Sequence, residues 1–427
     1  METTEEIARY FDRLWPLLRS ITGEGVRRTH DILAELIPLT RIEIPSGTEV
    51  FDWTVPKEWV VREAYVIAPN GKRIFDIKDN NLHILNYSIP FKGKVTRAEL
   101  DAHLHSLPES PDAIPYVTSY YSPRWGFCLS QRQRDALSDG DYFVCIDSDL
   151  IDGSMTLGEA VLPGEEEAEV LISTYTCHPS LANNELSGPL VAAFLYRRLA
   201  ALRSRRLTYR FVYLPETIGS VTYLSLHGDH LRKRLVAGFV VTCVGDAGPF
   251  TYKRSRRGDS LADRAAIHVL TRRKVANTIL DFFPDGGSDE RQYCSPGFNL
   301  PVGSLMRSMY GRYRGYHTSL DNRDFISFEA MAGSVDVYFD IMRVLESNVT
   351  YCGLAPYGEP QLGKRGLYGT LGGQEMPNLT SAMLWLLNYA DGEHDLLSVA
   401  ERSGHDVELL NTAAKACVAA GLLTRAG

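Results

Sequence analysis

The sequence predicts an α/β fold: a parallel or mixed sheet covered on both faces by helices, carrying a small β-rich insert and a helical C-terminal module. Three observations lead there. From about 141 to 345, apolar strand-like runs alternate with stretches of helical periodicity. Between about 46 and 125 the chain is β-rich throughout, and past about 350 glycines and prolines mark a change to short helices. Polar clusters follow the apolar runs, so strand ends converge on one rim, where open α/β sheets carry their sites.

Taken in order, residues 4–36 read as helical, with Ile7, Phe11, Leu14, Leu17 and Leu18 at helical spacing. Past Pro38 come short β-rich runs at 41–44, 63–67, 73–77 and 82–85, and Asn70-Gly71 is a hairpin signal between two of them. A short helix near 126–140 returns the chain to the main fold. Strands are expected at 142–147, 169–176, 208–214 and 238–244, and helices near 189–203, 220–233, 260–282 and 328–347. Gly353, Pro356, Gly358, Pro360, Gly363, Gly366 and Gly369 mark a linker. Helices near 379–389, 394–403 and 406–420, joined by Asp391-Gly392 and Ser403-Gly404, have the rhythm of a helix-turn-helix or winged-helix module. The expected organisation is a core of 1–45 and 126–348, an insert of 46–125 and a C-terminal domain of 370–427.

Composition narrows the function classes. With 44% hydrophobic and 23% charged residues among 427, the chain reads as an ordinary folded protein. A net charge of −8 argues against a general nucleic-acid or anionic-membrane binder. The N-terminus lacks the basic start and apolar core of a signal peptide, and no apolar run reaches membrane-spanning length. Seven cysteines without close pairing fit a reducing compartment, so a cytoplasmic location is expected.

Four clusters sit at strand ends or in the loops after them: His178 with Asn184 and Glu185; Pro215 to Ser220; Gly245-Asp246-Ala247-Gly248; and Tyr316-His317-Thr318-Ser319-Leu320-Asp321. Zinc takes three or four N, O or S ligands, and a catalytic site leaves one position open. His178, Asp246 and His317 supply three, and Glu216 is placed to take a proton from water. Plainer readings fit each residue alone. Glu216 at a helix start also suits the helix dipole, Asp246 between glycines also suits a turn, and Asn184 and Glu185 also suit a helix cap.

The order of these clusters resembles the zinc exopeptidase (aminopeptidase) fold family with two co-catalytic zincs. More closely, "TCHPSLANNELSG", "LPETIGS", "GGSDERQYCSPGFNLPVGSLMRS" and "YHTSLDN" resemble an aminopeptidase-like family linked to polysaccharide or antibiotic biosynthesis. The resemblance implies a three-layer zinc exopeptidase core with a mixed sheet, a β-rich insert and a C-terminal winged-helix module. It implies that His178 is the first zinc ligand, Asp246 the acidic ligand paired with it, Glu216 the general base and His317 the ligand of the second zinc. Two positions depart. Asn184 stands where the bridging carboxylate belongs, and Thr217 where a second Glu belongs. A neutral amide does little to offset the repulsion of two cations, so one zinc is expected rather than two.

Other residues are candidates for substrate binding. Arg291 and Arg307 carry guanidinium forks suited to a carboxylate or phosphate, and equally to structural ion pairs. Tyr310 and Tyr316 are candidates for orienting substrate, or packed aromatics. Cys294 is a candidate for lining the site. Cys177 and His178, as strand neighbours, are expected to point to opposite faces. The run Lys253-Arg254-Ser255-Arg256-Arg257-Gly258 reads as a solvated loop, with attraction of an anionic substrate as the alternative. Over 371–427 there are three basic residues against seven acidic ones, which lacks the footprint of DNA binding, so nucleic acid is not the expected partner and self-association is favoured. The expected function is zinc-dependent hydrolysis of an amide bond in a small amino-acyl or N-acyl conjugate of a biosynthetic pathway, on a small-molecule or peptide-like substrate. Acyl or amide transfer on the same fold, and non-catalytic ligand binding, are the alternatives.

Overall fold

A computed structural model describes residues 2–367 and 377–426. Gly369, Glu375 and the expected start of the C-terminal domain at 370 lie outside them. The chain divides into two compact units, 1–262 with 276–336, and 263–275 with 337–427.

The first unit opens with α1 (Glu2–Leu14) and α2 (Glu24–Ala34). The single helix expected over 4–36 is therefore broken. Pro16 cannot continue a helix, and Gly23 takes φ +100°, where an added Cβ would meet the Trp59 carbonyl oxygen at 2.5 Å. The chain continues through β1 (Thr40–Pro45), β2 (Glu58–Ile67), β3 (Phe91–Thr96), β4 (Asp141–Ile151), β5 (Ser154–Leu162) and β6 (Glu169–Tyr175). Next come α3 (Ser187–Ala200), β7 (Thr208–Leu214), α4 (Ile218–Arg234), β8 (Leu235–Val241) and β9 (Phe250–Lys253). After α5 (Leu261–Arg273) follow β10 (Asn277–Leu280), β11 (Val302–Met306) and α6 (Phe328–Ser347).

Eight strands form the main sheet in the order β1-β5-β7-β6-β8-β11-β9-β10. The central run β7-β6-β8-β11 is parallel, while β1, β5 and β9 pair antiparallel at its sides. All seven residues of β6 are buried, as expected for a strand covered on both faces. Leu171 and Ile172 alone contribute about 1.5–3 kcal/mol each by leaving water. The chain runs from β6 to β7 on one side and then to β8 on the other. The carboxyl end of β6 therefore borders a switch point, where a crevice opens.

A second, four-stranded antiparallel sheet joins the short strand Arg73–Ile74, β2, β4 and β3. The strand expected at 142–147 forms, but as part of β4 in this sheet. Residues 41–44 go the other way, to the edge of the main sheet. The run 82–85 contains a 3-10 turn at Asn81–His83 instead of a strand, capped by the Asn80 side chain. The helix expected over 260–282 stops at Arg273, where Lys274 takes φ +52° and the β-prone residues of β10 begin.

In the second unit, β12 (Thr350–Gly353), α7 (Pro377–Asn388), β13 (Asp391–Asp395), α8 (Leu396–Ser403), α9 (Val407–Ala419) and β14 (Leu423–Arg425) follow in turn. Its three strands pair in the order β13-β12-β14. Asp395 and Asp406 cap α8 and α9 by accepting the backbone N–H of Ser398 and Glu408. Leu386, Leu397, Leu410 and Leu422 are buried. Among the described residues no helix is long and apolar enough to cross a membrane.

Candidate active site

The parallel strands deliver their carboxyl ends to one rim. After β6 the chain reaches His178, whose Nδ1 lies 2.8 Å from a Glu185 carboxylate oxygen. The route by which Glu185 arrives is local. Residues Ala182–Leu186 form a single π turn, with Leu186 N–H donating to the Leu181 carbonyl five residues back. That extra residue rotates Glu185 toward His178. Asn184 turns instead to Tyr175, donating Nδ2–H to its hydroxyl at 2.8 Å, and leaves a buried Oδ1 without a hydrogen-bond partner. The turn is held from below by Asp321, which accepts the N–H groups of Asn183 (2.6 Å) and Asn184 (2.9 Å). Burial pushes Asp321 up to about 6, against the pull of these donors.

Beneath this pair lies Arg19, fully buried. The break between α1 and α2 carries it inward, where its Nε donates to the His178 carbonyl at 2.8 Å and sits 3.8 Å from Glu185. The Cys177 thiol is 3.4 Å from His178 Nδ1, so the two residues meet after all, because the strand ends at Tyr175 and its alternation no longer applies. Burial pushes this thiol up to about 11. Burial also pushes His178 down, but Cys177 and Glu185 outweigh it and hold the imidazole above its ordinary value.

Glu216 follows β7 on a strained turn. Thr217 has φ 64° and ψ −74°, and Ile218 N–H donates to the Glu216 carbonyl two residues back, the rare γ-turn. Ser288 Oγ donates to one Glu216 oxygen at 2.6 Å, and the other lies 3.6 Å from His178 Nε2. Asp289, next to Ser288, accepts the Thr217 N–H and the Ser220 hydroxyl and so pins the same turn. Burial, with the Glu216 charge beside it, pushes Asp289 up to about 7.

His317 also has a left-handed backbone, φ +53°. Its ring stacks on Tyr316 (centroids 4.0 Å apart, 13° between planes) and meets Tyr116 edge-on. Its Nε2 is buried without a hydrogen-bond partner. Burial and the neighbouring His178 push it down to about 3, so it is neutral. The segment before Tyr120 clamps this loop, with Tyr116 N–H donating to the His317 carbonyl. His178, His317, Glu216 and Thr217 line a cavity of about 530 Å³ together with Trp53, Tyr116 and Tyr120.

These residues suit one metal ion. Glu185 engages Nδ1 of His178, which leaves Nε2 as the atom turned to Glu216, the carboxylate–histidine arrangement seen at zinc ligands. The two imidazole centroids are 5.3 Å apart. Two histidines bound tetrahedrally at about 2.1 Å would place them about 5 Å apart. The unpartnered Nε2 of His317 supplies the second nitrogen. Asp246 is differently engaged. Its oxygens accept Asn183 Nδ2–H, Gly248 N–H, and both the N–H and hydroxyl of Ser308. Neither oxygen lies within ion-pair distance of either histidine.

Residues 8–348 match a family model described as a domain of unknown function, DUF4910, and residues 349–425 match a winged helix-turn-helix model. A Clostridium acetobutylicum protein, named as a candidate polysaccharide biosynthesis protein with an aminopeptidase-like domain, is 48% identical over 423 residues, 99% of this chain and 96% of its own. The chain belongs to this aminopeptidase-like family. A crystal structure of a candidate peptidase from Clostridium acetobutylicum superposes with a TM-score of 0.92 at 46% identity, covering 99% of this chain and 97% of that one. The fold also matches a zinc aminopeptidase from Bacillus subtilis (TM-score 0.58, 13% identity, 79% of this chain and 93% of that one). Its core is thus a zinc-aminopeptidase fold, with smaller β-rich sheets inserted and a winged-helix region at the C-terminal end.

Within this aminopeptidase-like chain, the five residues singled out as substrate candidates are not on the cavity wall. Tyr316 is nearest, stacked behind His317. Arg307 spends its donors on Ser334 Oγ and the carbonyls of Gly248 and Ala330. Arg291 donates to the Ser288 carbonyl, Tyr310 donates to Glu290, and the buried Cys294 thiol faces the carbonyls of Leu300 and Val302. Lys253, expected in a solvated loop, is fully buried and paired with Glu290 at 2.9 Å. The cavity's other wall, Tyr116 and Tyr120, comes from the β-rich insert, where aromatic residues blend into the strand-like composition. Arg19 and Glu185 complete the site from positions whose only sequence signals are Pro16 in a helical run and an acid beside Asn184.

Proposed function

We propose that this chain is a zinc-dependent hydrolase of an amide bond in a small N-acyl or amino-acyl conjugate, working with a single metal ion. The observation that carries the reading is the Glu185–His178 pair, which turns Nε2 toward Glu216 and the bare nitrogen of His317. In this reading His178 and His317 hold the ion, with the Asn184 oxygen in reserve and Asp246 bracing Asn183. When bound, zinc supplies Lewis-acid polarisation of the amide carbonyl. Glu216, fixed by Ser288 and the Thr217 turn, takes the proton of the attacking water and returns it to the leaving amine. Asp289 keeps that turn in place, and the aromatic walls exclude bulk water.

A biosynthetic setting is supported by the name of the Clostridium acetobutylicum relative. The C-terminal module, poor in basic residues, serves contacts with protein and not with DNA. The test is hydrolysis of an amide panel by zinc-loaded protein, with products analysed in the presence of a competing amine. Release of free acid, lost about 10²–10⁴-fold in Glu216→Gln, supports the proposal. An acylated competing amine as the main product would indicate transfer instead.

A further inference from the structure

The cavity wall built by the insert contains a chain of hydroxyl groups whose protons can be counted. Asn86 fixes the count. Its Nδ2 donates to the Arg19 carbonyl at 3.0 Å, and a carbonyl only accepts, so the amide oxygen faces the opposite way. That oxygen receives two hydroxyls, Ser20 Oγ at 2.5 Å and Tyr120 Oη at 3.0 Å. Since an amide oxygen cannot donate, the Tyr120 proton is committed to Asn86. Tyr116 Oη lies 2.9 Å from Tyr120 Oη. With the Tyr120 proton spent, the proton between the two phenols is the one on Tyr116. Reversing it would set the Tyr120 oxygen against the Asn86 oxygen lone pair to lone pair and lose a buried hydrogen bond.

Tyr116 and Tyr120 both line the cavity. The Tyr116 ring stands beside both candidate ligands, 5.0 Å from the His178 ring and 5.3 Å from that of His317. Its hydroxyl proton points away into the wall, so its oxygen presents lone pairs. The rest of the lining is uncharged apart from His178, His317 and Glu216, and Trp53 and Tyr121 pack edge to face on the same wall.

We propose that Tyr116 is a specificity-determining residue whose oxygen acts as an acceptor, selecting substrates whose scissile group is a secondary amide carrying an N–H. This rests on the amide-hydrolase reading for the site and adds the substrate class. The wall is neutral and aromatic, so the preferred group is an N-acylated amine with an apolar or ring-bearing partner. Tertiary amides offer only acceptors to the same oxygen and are disfavoured.

The test is a binding cycle on the full-length zinc-loaded protein. N-benzylacetamide and N-benzyl-N-methylacetamide differ in the N–H, and titration calorimetry gives a Kd for each with wild type and Tyr116→Phe. The wild type is expected to favour the secondary amide about 3–10-fold, the worth of one hydrogen bond. In Tyr116→Phe the ratio falls toward one, with any steric cost of the methyl group carried equally by both proteins. Tyr120→Phe keeps the Tyr116 oxygen but frees its proton, so the ratio falls there too. A ratio unchanged by Tyr116→Phe, or no saturable binding of either probe to wild type, overturns the proposal. Because the readout is binding, an intact ratio with no hydrolysis would sink the hydrolase reading alone.

Discussion

The two histidines of the cavity are held in opposite ways. His178 sits in a charged, closed network: Glu185 on Nδ1, the Arg19 guanidinium on its carbonyl, Cys177 alongside. His317 has no polar partner on Nε2 and is placed by stacking on Tyr316, by the Tyr116 N–H on its carbonyl, and by a left-handed backbone. One nitrogen is aimed by electrostatics and the other by sterics. The difference shows in their basicity, His178 held up and His317 pushed down to about 3. A neutral, unpartnered imidazole beside a carboxylate-oriented one is a pair in which each nitrogen is set for a cation by a different physical cause.

The largest effect is expected where charge does the aiming. Glu185→Ala leaves the Arg19 charge buried and uncompensated, and should destabilise the chain by about 3–5 kcal/mol in urea unfolding. The gentler Glu185→Gln should weaken zinc affinity about 10–100-fold in chelator competition, because His178 loses the carboxylate that orients it. At the other histidine the loss should be smaller. Tyr316→Leu removes the stacked ring and should cost about 0.5–1.5 kcal/mol beyond lost area, with zinc affinity falling by less than in Glu185→Gln. Equal falls in both variants would erase the distinction between the two corners.

Legibility followed the same division. The polar clusters at the ends of β6 and β7 were readable, because buried strands and the helices after them leave a strong periodic pattern. Helix α6 appears over the expected 328–347. Glu185 was hidden by the π turn, since one residue of extra winding swaps the roles of Asn184 and Glu185 without changing their spacing. Arg19 was hidden by a helix break that brings residue 19 against residue 178, a contact no local pattern records. Tyr116 comes from the insert, where an aromatic residue on a cavity wall has the same sequence texture as one in a sheet.

Two smaller effects sharpen the comparison further. Thr217→Gly relieves the γ-turn and should raise stability by about 1 kcal/mol while lowering kcat, as Glu216 loses its fixed aim. Asn184→Asp supplies the missing carboxylate, yet zinc content should stay at one per chain, because Thr217 offers no second one. A rise to two zincs in Asn184→Asp would show that charge at this one position governs the metal count.

The most direct measurement is zinc content by elemental analysis of the purified chain, set beside His178→Ala and His317→Ala, each checked for folding by circular dichroism. One zinc per chain in the wild type, lost from both folded variants, is the expected result. Two tightly held zincs in the wild type, or an unchanged zinc content in His317→Ala, would contradict a single ion shared by the two histidines.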